Sequence, residues 1–284
     1  MKLTHKTPTR NKPAAQIGTA VPVIAALATT AVALLRQRSA ATKFERLGAA
    51  ALETLLNAID ANDPVTGAHV RRVARFGLVI ADAMGLDEHS CHAVERVALF
   101  HDIGKIHEAL YDVIHDAGGL DPTELREIHT HPQRGALVLA PLASFYPDLP
   151  KGVVAHHERW DGSGYPRRLK GKSIPLSARI VAIADTFDAI THSRRYRAGR
   201  SFEVAVQAIG EGRGTQFDPE LVDLFVLPPV LNRIRAEMRA AGNIETAPAR
   251  QRRSHSGSDV SVPDISFRWR ATSPKQTIQD LTQS

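Results

Sequence analysis

Thirteen histidines are spread over the 284 residues, and two of them, His156 and His157, stand side by side in "AHHERWDGSGYP" (155–166). Neighbours on a helix point about 100° apart, so one apolar contact cannot bury both imidazoles. A metal ion can use both, each ring entering a different part of its shell, where the helix is ending. The loop that follows, Asp161-Gly162 and then Gly164-Tyr165-Pro166, supplies that ending. A second pair, His101 and Asp102 in "LFHDIGK", continues a stripe with Val94, Val97 and Ala98. A buried carboxylate beside a buried imidazole is costly unless a cation compensates it.

An isolated His-Asp pair reads as a hydrogen-bonded core pair. This one has company. His69 shares a helical stripe with Val73, Phe76 and Ile80, Asp185 shares one with Ala178 and Val181, and His131 stands at a helix start before Pro132. His69, His101, Asp102, His131, His156, His157 and Asp185 thus form a set of metal-type ligands at core-facing or helix-end positions. One ion would use about four to six of them; two would use all, with Asp102 shared. His5 and His255 lie in tails, and His89, His92, His107, His115, His129 and His192 read as surface or supporting residues. Glu158 and Asp188 are candidate carboxylates that orient the ligands.

The elements that must position this set read as helices throughout. A helix is expected over 43–59, one from His69 to Met84 ended by Gly85, and one over 90–104. Others follow: one starting at Asp121-Pro122, one opened by Pro132, one in "SIPLSARIVAIADTFDAI" with Ser177 as candidate cap, and two in "SFEVAVQAI" and "DPELVDLFVL". No stretch alternates with period two, so the expected fold is an all-α bundle over 43–242. Facing helices of a bundle can bring distant histidines together. Residues 1–16 and 243–284 read as disordered, the latter Ser/Pro/Arg-rich.

Aromatics make up 5% of the chain, so Ala, Leu, Val and Ile are expected to do the packing. The single Cys91 excludes an intrachain disulfide and fits a reducing compartment. The net charge of +6 invites an anionic partner, but no nucleic-acid-binding motif accompanies it, so no nucleic acid is expected. Residues 17–35 hold nineteen residues without a charge, with basic residues on both sides. That length can cross a bilayer, although the Ala/Thr content and Pro22 make insertion marginal. A membrane anchor is favoured over a cleaved export signal or an ordinary apolar helix.

"HDIGK", with a histidine upstream and an aspartate downstream, resembles the HD superfamily of metal-dependent phosphohydrolases. "DPVTGAHVRRV", "HHERWDGSGYP", "ARIVAIADTFDAITHSRRYR" and "GTQFDP", arriving in that order, resemble its HD-GYP branch over about 46–227. The resemblance implies an HD-domain helical bundle with added HD-GYP helices and a centre of iron or manganese. It implies hydrolysis of cyclic di-GMP to pGpG, with either pGpG or GMP as the end product. By position, one metal would take His69, His101, Asp102 and Asp185, and the other Asp102, His131, His156 and His157. Gly164, Tyr165 and Pro166 match the signature loop, which can also dock a protein partner. Val65 stands where some members place a glutamate for a third metal, so two ions are expected. Arg195 replaces a usual proline, and 107–118 lacks the usual proline and lysine, which leaves local loop shape and substrate contacts open.

The expected chemistry is attack by a metal-bridging hydroxide on a phosphodiester, with Asp102 fixing the ions and Lys105, one turn beyond His101, neutralising a phosphate oxygen. Arg194 and Arg197 suit phosphate or guanine, or form a solvated basic face. Tyr165 lines a base pocket or shapes the loop; Asp63 meets a guanine edge or caps a turn. A generic HD nucleotidase, a phosphodiesterase for another cyclic dinucleotide, and a non-catalytic docking module are the rival readings. A cytosolic substrate would place the catalytic domain in the cytoplasm, with residues 17–35 as the inner-membrane anchor.

Overall fold

A computed structural model describes residues 43–61, 63–106, 126–192 and 198–245. The expected anchor 17–35, both tails up to 42 and beyond 245, the helix at Asp121 and the pair Arg194 and Arg197 lie outside the described residues. The chain divides into two units, 1–48 and 49–284. Of the first, residues 43–48 are described and are helical. The second opens with helix α1 (49–61).

The second unit is helical, and among the described residues it holds no β-strand. Asp63 accepts from the Val65 N–H (2.9 Å) and starts α2 (Pro64–Ala83) five residues before the expected His69. Proline at the first helical position has its φ preset and no N–H to leave unpaired. Gly85, at φ +71°, turns the chain out of α2 as expected. Asp87 caps α3 (Glu88–Phe100) through the Ser90 N–H. The α-helix stops at Phe100, not at 104, and a tighter 3-10 turn carries Ile103–Ile106. Lys105 is therefore not one turn along the helix of His101; it lies on that separate turn. The turn packs onto the start of α4 (His131–Leu139) because Gly104 has no side chain: a Cβ there would strike the His131 carbonyl and the Gly135 amide.

Helices α5 (Asp148–Ala155), α6 (Leu176–Thr191), α7 (Phe202–Glu211), α8 (Pro219–Phe225) and α9 (Pro228–Glu245) complete the described body. Ser177 does not cap α6: the cap position is Pro175, with no side-chain hydrogen bond, and Ser177 is buried inside the first turn. Helix α9, for which the sequence reading assigned no element, buries Val230 and Ile234.

Helix α2 packs on both α3 and α6, α3 on α6, and α4 on α5. Phenylalanine, despite its low abundance, forms the centre of the core. Phe187 on α6 meets Phe76, Phe202 and Phe225 edge-on at ring distances of 5.3, 5.4 and 5.7 Å. Such edge-to-face contacts add about 0.5–1.5 kcal/mol each beyond burial. They fix the rotation of α6, and with it the directions of Asp185 and Asp188 on either side of Phe187. Among the described residues no helix is long and apolar enough to cross a membrane.

Candidate metal centre

Four histidines of the set come from the end or the inner face of different elements, and His157 follows His156 directly. His69 is on the buried face of α2, His101 caps the C-terminus of α3, His131 opens α4, and His156 caps the C-terminus of α5. His101 and His131 are fully buried and His156 nearly so. The backbone then fixes their tautomers. The Nδ1–H of His101 donates to the Ala98 carbonyl (2.8 Å), that of His131 to Ile128 (2.6 Å) and that of His156 to Val153 (2.6 Å). A carbonyl can only accept, so the proton is on Nδ1 and the Nε2 lone pair is bare. His69 uses a carboxylate instead: its Nδ1–H donates to Asp188 Oδ2 (2.7 Å).

The bare nitrogens converge. His131 Nε2 and His156 Nε2 face each other at 3.1 Å, two lone pairs with no proton between them. Asp102 lies between two groups of donors. Its Oδ1 is 3.3 Å from His131 Nε2 and 3.8 Å from His156 Nε2. Its Oδ2 is 3.4 Å from His101 Nε2 and 3.9 Å from His69 Nε2. Asp185 Oδ1 is 3.4 Å from His69 Nε2 and 3.9 Å from His101 Nε2. His69, His101 and Asp185 form one group with ligand atoms within 4.8 Å of one another; Asp102, His131, His156 and His157 form the other. The structure thus brings together all seven residues of the set. Asp102 Oδ1 and His101 Nε2 are buried and lack any hydrogen-bond partner. Stranded acceptors of that kind cost about 1–3 kcal/mol each unless a cation takes their lone pairs.

The protein's own charges set the protonation of the cluster. Burial raises the Asp102 carboxyl, but Lys105 and His101 outweigh it and hold it well below the usual range. Burial is likewise overcome at Asp185, chiefly by the hydrogen bond to His69. Burial keeps His156 well below its ordinary value, with His157 adding to it, and takes His157 down to about 3, with His131 adding to it. Ionised carboxylates and neutral imidazoles are the ligating forms. His69 differs: burial would lower it, but hydrogen bonds to Asp185 and Asp188 carry it up to about 9.

Supporting residues divide by what they hold. Asp188, a candidate in the sequence, also accepts from Arg72 Nε (2.7 Å) and Nη2 (3.1 Å) and lies 3.0 Å from His192 Nδ1. Arg72 was missed; its only signal is a place three residues after His69 on the same helix face. Glu158, the other candidate, touches no ligand side chain in the described contacts. It accepts from the Arg167 and Leu169 N–H groups (2.7 and 2.9 Å) and clamps the loop after Pro166, including Arg168 at φ +54°. The "GTQF" carbonyls of Thr215 and Gln216 accept from Asp161 and Trp160 N–H and hold the other end. Gly164 lets that loop close, since a Cβ would lie 2.6 Å from Glu158 Cα. Tyr165 is stacked between His157 (4.9 Å, 24°) and His129 (4.2 Å, 25°), the latter read in the sequence only as a surface or supporting residue. Lys105 Nζ reaches Asp102 Oδ2 at 2.6 Å. Asp63 is spent on capping α2 and on the Thr66 hydroxyl.

Known proteins are similar to this chain. The chain is 38% identical over 174 residues to 3'3'-cGAMP-specific phosphodiesterase 2 of Vibrio cholerae, covering 61% of this chain and 33% of that one. It is 36% identical over 202 residues to the cyclic di-GMP phosphodiesterase response regulator RpfG of Xanthomonas campestris, covering 70% and 51%. It is 36% identical over 189 residues to the cyclic di-GMP phosphodiesterase of Thermotoga maritima, covering 65% and 50%. The chain spans a third to about half of these relatives' lengths. The crystal structure of a cyclic GMP-AMP specific phosphodiesterase of V. cholerae superposes with a TM-score of 0.50 at 24% identity, over 70% of this chain and 53% of that one, a likeness of fold alone. Residues 53–221, more than half of the chain, match the family described as HD domain and contain the whole cluster from His69 to Asp185; the chain belongs to the HD-domain family.

Proposed function

We propose that the chain is a metal-dependent phosphodiesterase that opens cyclic di-GMP to pGpG. The observation that carries this reading is the placement of the two Asp102 oxygens: Oδ1 faces the Nε2 atoms of His131 and His156, and Oδ2 faces that of His101. The facing lone pairs of His131 and His156 and the partnerless Asp102 Oδ1 fit a cationic occupant and little else. His69, His101, Asp102 and Asp185 would hold one divalent ion; Asp102, His131, His156 and His157 would hold the second. Iron or manganese suits this mixed nitrogen–oxygen set. Bound there, two such ions supply Lewis acidity toward a phosphodiester and make water nucleophilic at neutral pH.

The remaining work falls to the chain itself. The Nδ1–H bonds to backbone carbonyls and to Asp188 keep each ring aimed, so no reorganisation is needed as charge develops. Lys105, held on Asp102 and partly exposed at the mouth, is placed to turn its ammonium to a non-bridging phosphate oxygen once Asp102 is otherwise neutralised. Tyr165, buried on one side and kept neutral by burial with Asp102 and Asp185 nearby, offers an aromatic edge to a base. Asp63, with both oxygens engaged, acts as a helix cap and not as a reader of guanine.

Relatives named for cyclic di-GMP and for 3'3'-cGAMP match at similar identity, so the second dinucleotide is the specific rival. Product chromatography on both dinucleotides, with manganese- or iron-loaded protein, tests the reading. The expected outcome is pGpG from cyclic di-GMP, faster than any cleavage of 3'3'-cGAMP, and none from Asp102→Ala. Preference for 3'3'-cGAMP would reassign the substrate. Metal-loaded protein that binds either dinucleotide without cleaving it would make the chain a binding module.

A further inference from the structure

The first turn of α6 has no side-chain cap, and Ser177 within it is 8% exposed. Its hydroxyl has no hydrogen-bond partner among the described residues. Ser177 lines a cleft of about 260 Å³ together with Leu176, His89, Ser90, Asp148 and Lys151. These residues come from the first turns of α3, α5 and α6. α5, like α6, starts without a side-chain cap. First-turn N–H groups have no acceptor within their own helix and carry the positive end of its dipole. Asp148, the carboxylate on the wall, is in the first turn of its own helix and 3.7 Å from Lys151 Nζ, an exposed pair of small worth. Lys151 keeps most of its side chain in solvent and can lean over the opening.

The cleft is remote from the metal centre. α3 runs thirteen residues, about 20 Å, from the cleft to His101. α5 likewise runs from the cleft to His156, and α6 from the cleft toward Asp185. The cleft takes the N-terminal ends of the three helices; the metal centre takes the C-terminal ends of α3 and α5 and the middle of α6.

We propose that this cleft binds a small organic oxyanion, a phosphate or carboxylate on a body of a few carbons. The oxyanion is seated on the first-turn N–H groups of α6 and the Ser177 hydroxyl, with Lys151 closing over it. Backbone donors at a helix start are a ready anion site, and the stranded hydroxyl supplies the donor that orients the ligand.

Thermal unfolding of the full chain tests this, with inorganic phosphate and acetate as probes and chloride at matched ionic strength as control. A saturable rise of about 5 °C is expected with at least one oxyanion. The probe that produces it distinguishes a phosphate site from a carboxylate site. The rise persists in Asp102→Ala, which removes anion capture at the metal centre, and falls at least threefold in Ser177→Ala and in Lys151→Ala. Ser177→Ala removes no hydrogen bond, and Lys151 is exposed, so both variants are expected to fold. The proposal is overturned by no saturable rise with either probe. It is equally overturned by a rise undiminished in both cleft variants, or by one lost in Asp102→Ala.

Discussion

The two halves of the cluster are built differently. In one half, His69 is aimed by a carboxylate, Asp188, which is itself gripped by Arg72, and a second carboxylate, Asp185, faces the same ring. In the other, His131 and His156 are aimed by backbone carbonyls, and three imidazoles surround a single oxygen of Asp102. The first half is rich in negative charge and raises His69 to about 9; in the second, burial depresses His156 and His157. His69 is therefore aimed by side chains that a mutation can remove, whereas His101, His131 and His156 are aimed by main chain that it cannot. Asp102 belongs to the second group and turns its other oxygen toward His101 of the first.

That contrast orders the expected effects. Asp102→Ala should cost most: it removes an oxygen from each half, abolishing tight metal binding. Loss of several kcal/mol of transition-state stabilisation lowers turnover by at least about a thousandfold. Metal analysis with single-turnover kinetics would show it; a variant that kept both ions would break the comparison. Asp188→Ala should act on one half alone. It frees His69 and weakens one ion about 10- to 100-fold, while the other titrates unchanged in calorimetry. Equal weakening of both ions would contradict two separately supported halves.

Tyr165 sharpens the other side. Tyr165→Ala removes the ring stacked on His157 and should weaken the ion of that half by about 2- to 10-fold, whereas Tyr165→Phe keeps the stack and the affinity. A loss in Phe equal to that in Ala would mean that the hydroxyl matters instead. Arg179→Ala breaks the buried pair with Asp218, away from the cluster. It should cost about 3 kcal/mol in denaturant unfolding and leave metal stoichiometry untouched.

The sequence made the cluster legible because a buried His or Asp on an apolar helical stripe has few explanations, and five such stripes or helix ends agreed. Asp185 could be singled out from its stripe with Ala178 and Val181, and Asp188, three positions on, as a carboxylate to orient a ligand. Arg72 and His129 were not readable in the same way. Arg72 looks like any arginine on a partly polar helix, and its role depends on Asp188 arriving from 116 residues away. His129 gains a role only when the loop of Tyr165 folds over it. The helical class was legible, as were the starts in "SFEVAVQAI" and "DPELVDLFVL", but α2 begins at Pro64 and not at His69, and α6 is not capped by Ser177. The end of α3 was not legible, since the apolar pattern runs on through Ile103 while the chain tightens into a 3-10 turn. The phenylalanine core escaped a compositional reading because five of the nine phenylalanines are spent there.

Metal titration of the full chain, followed by mass-spectrometric metal analysis, tests the central claim most directly. The account predicts close to two divalent ions per wild-type chain, about one at the same free metal concentration in Asp188→Ala, and none held tightly by Asp102→Ala. A wild-type chain that retains no ion, or an Asp102→Ala chain that retains as many as wild type, would contradict it.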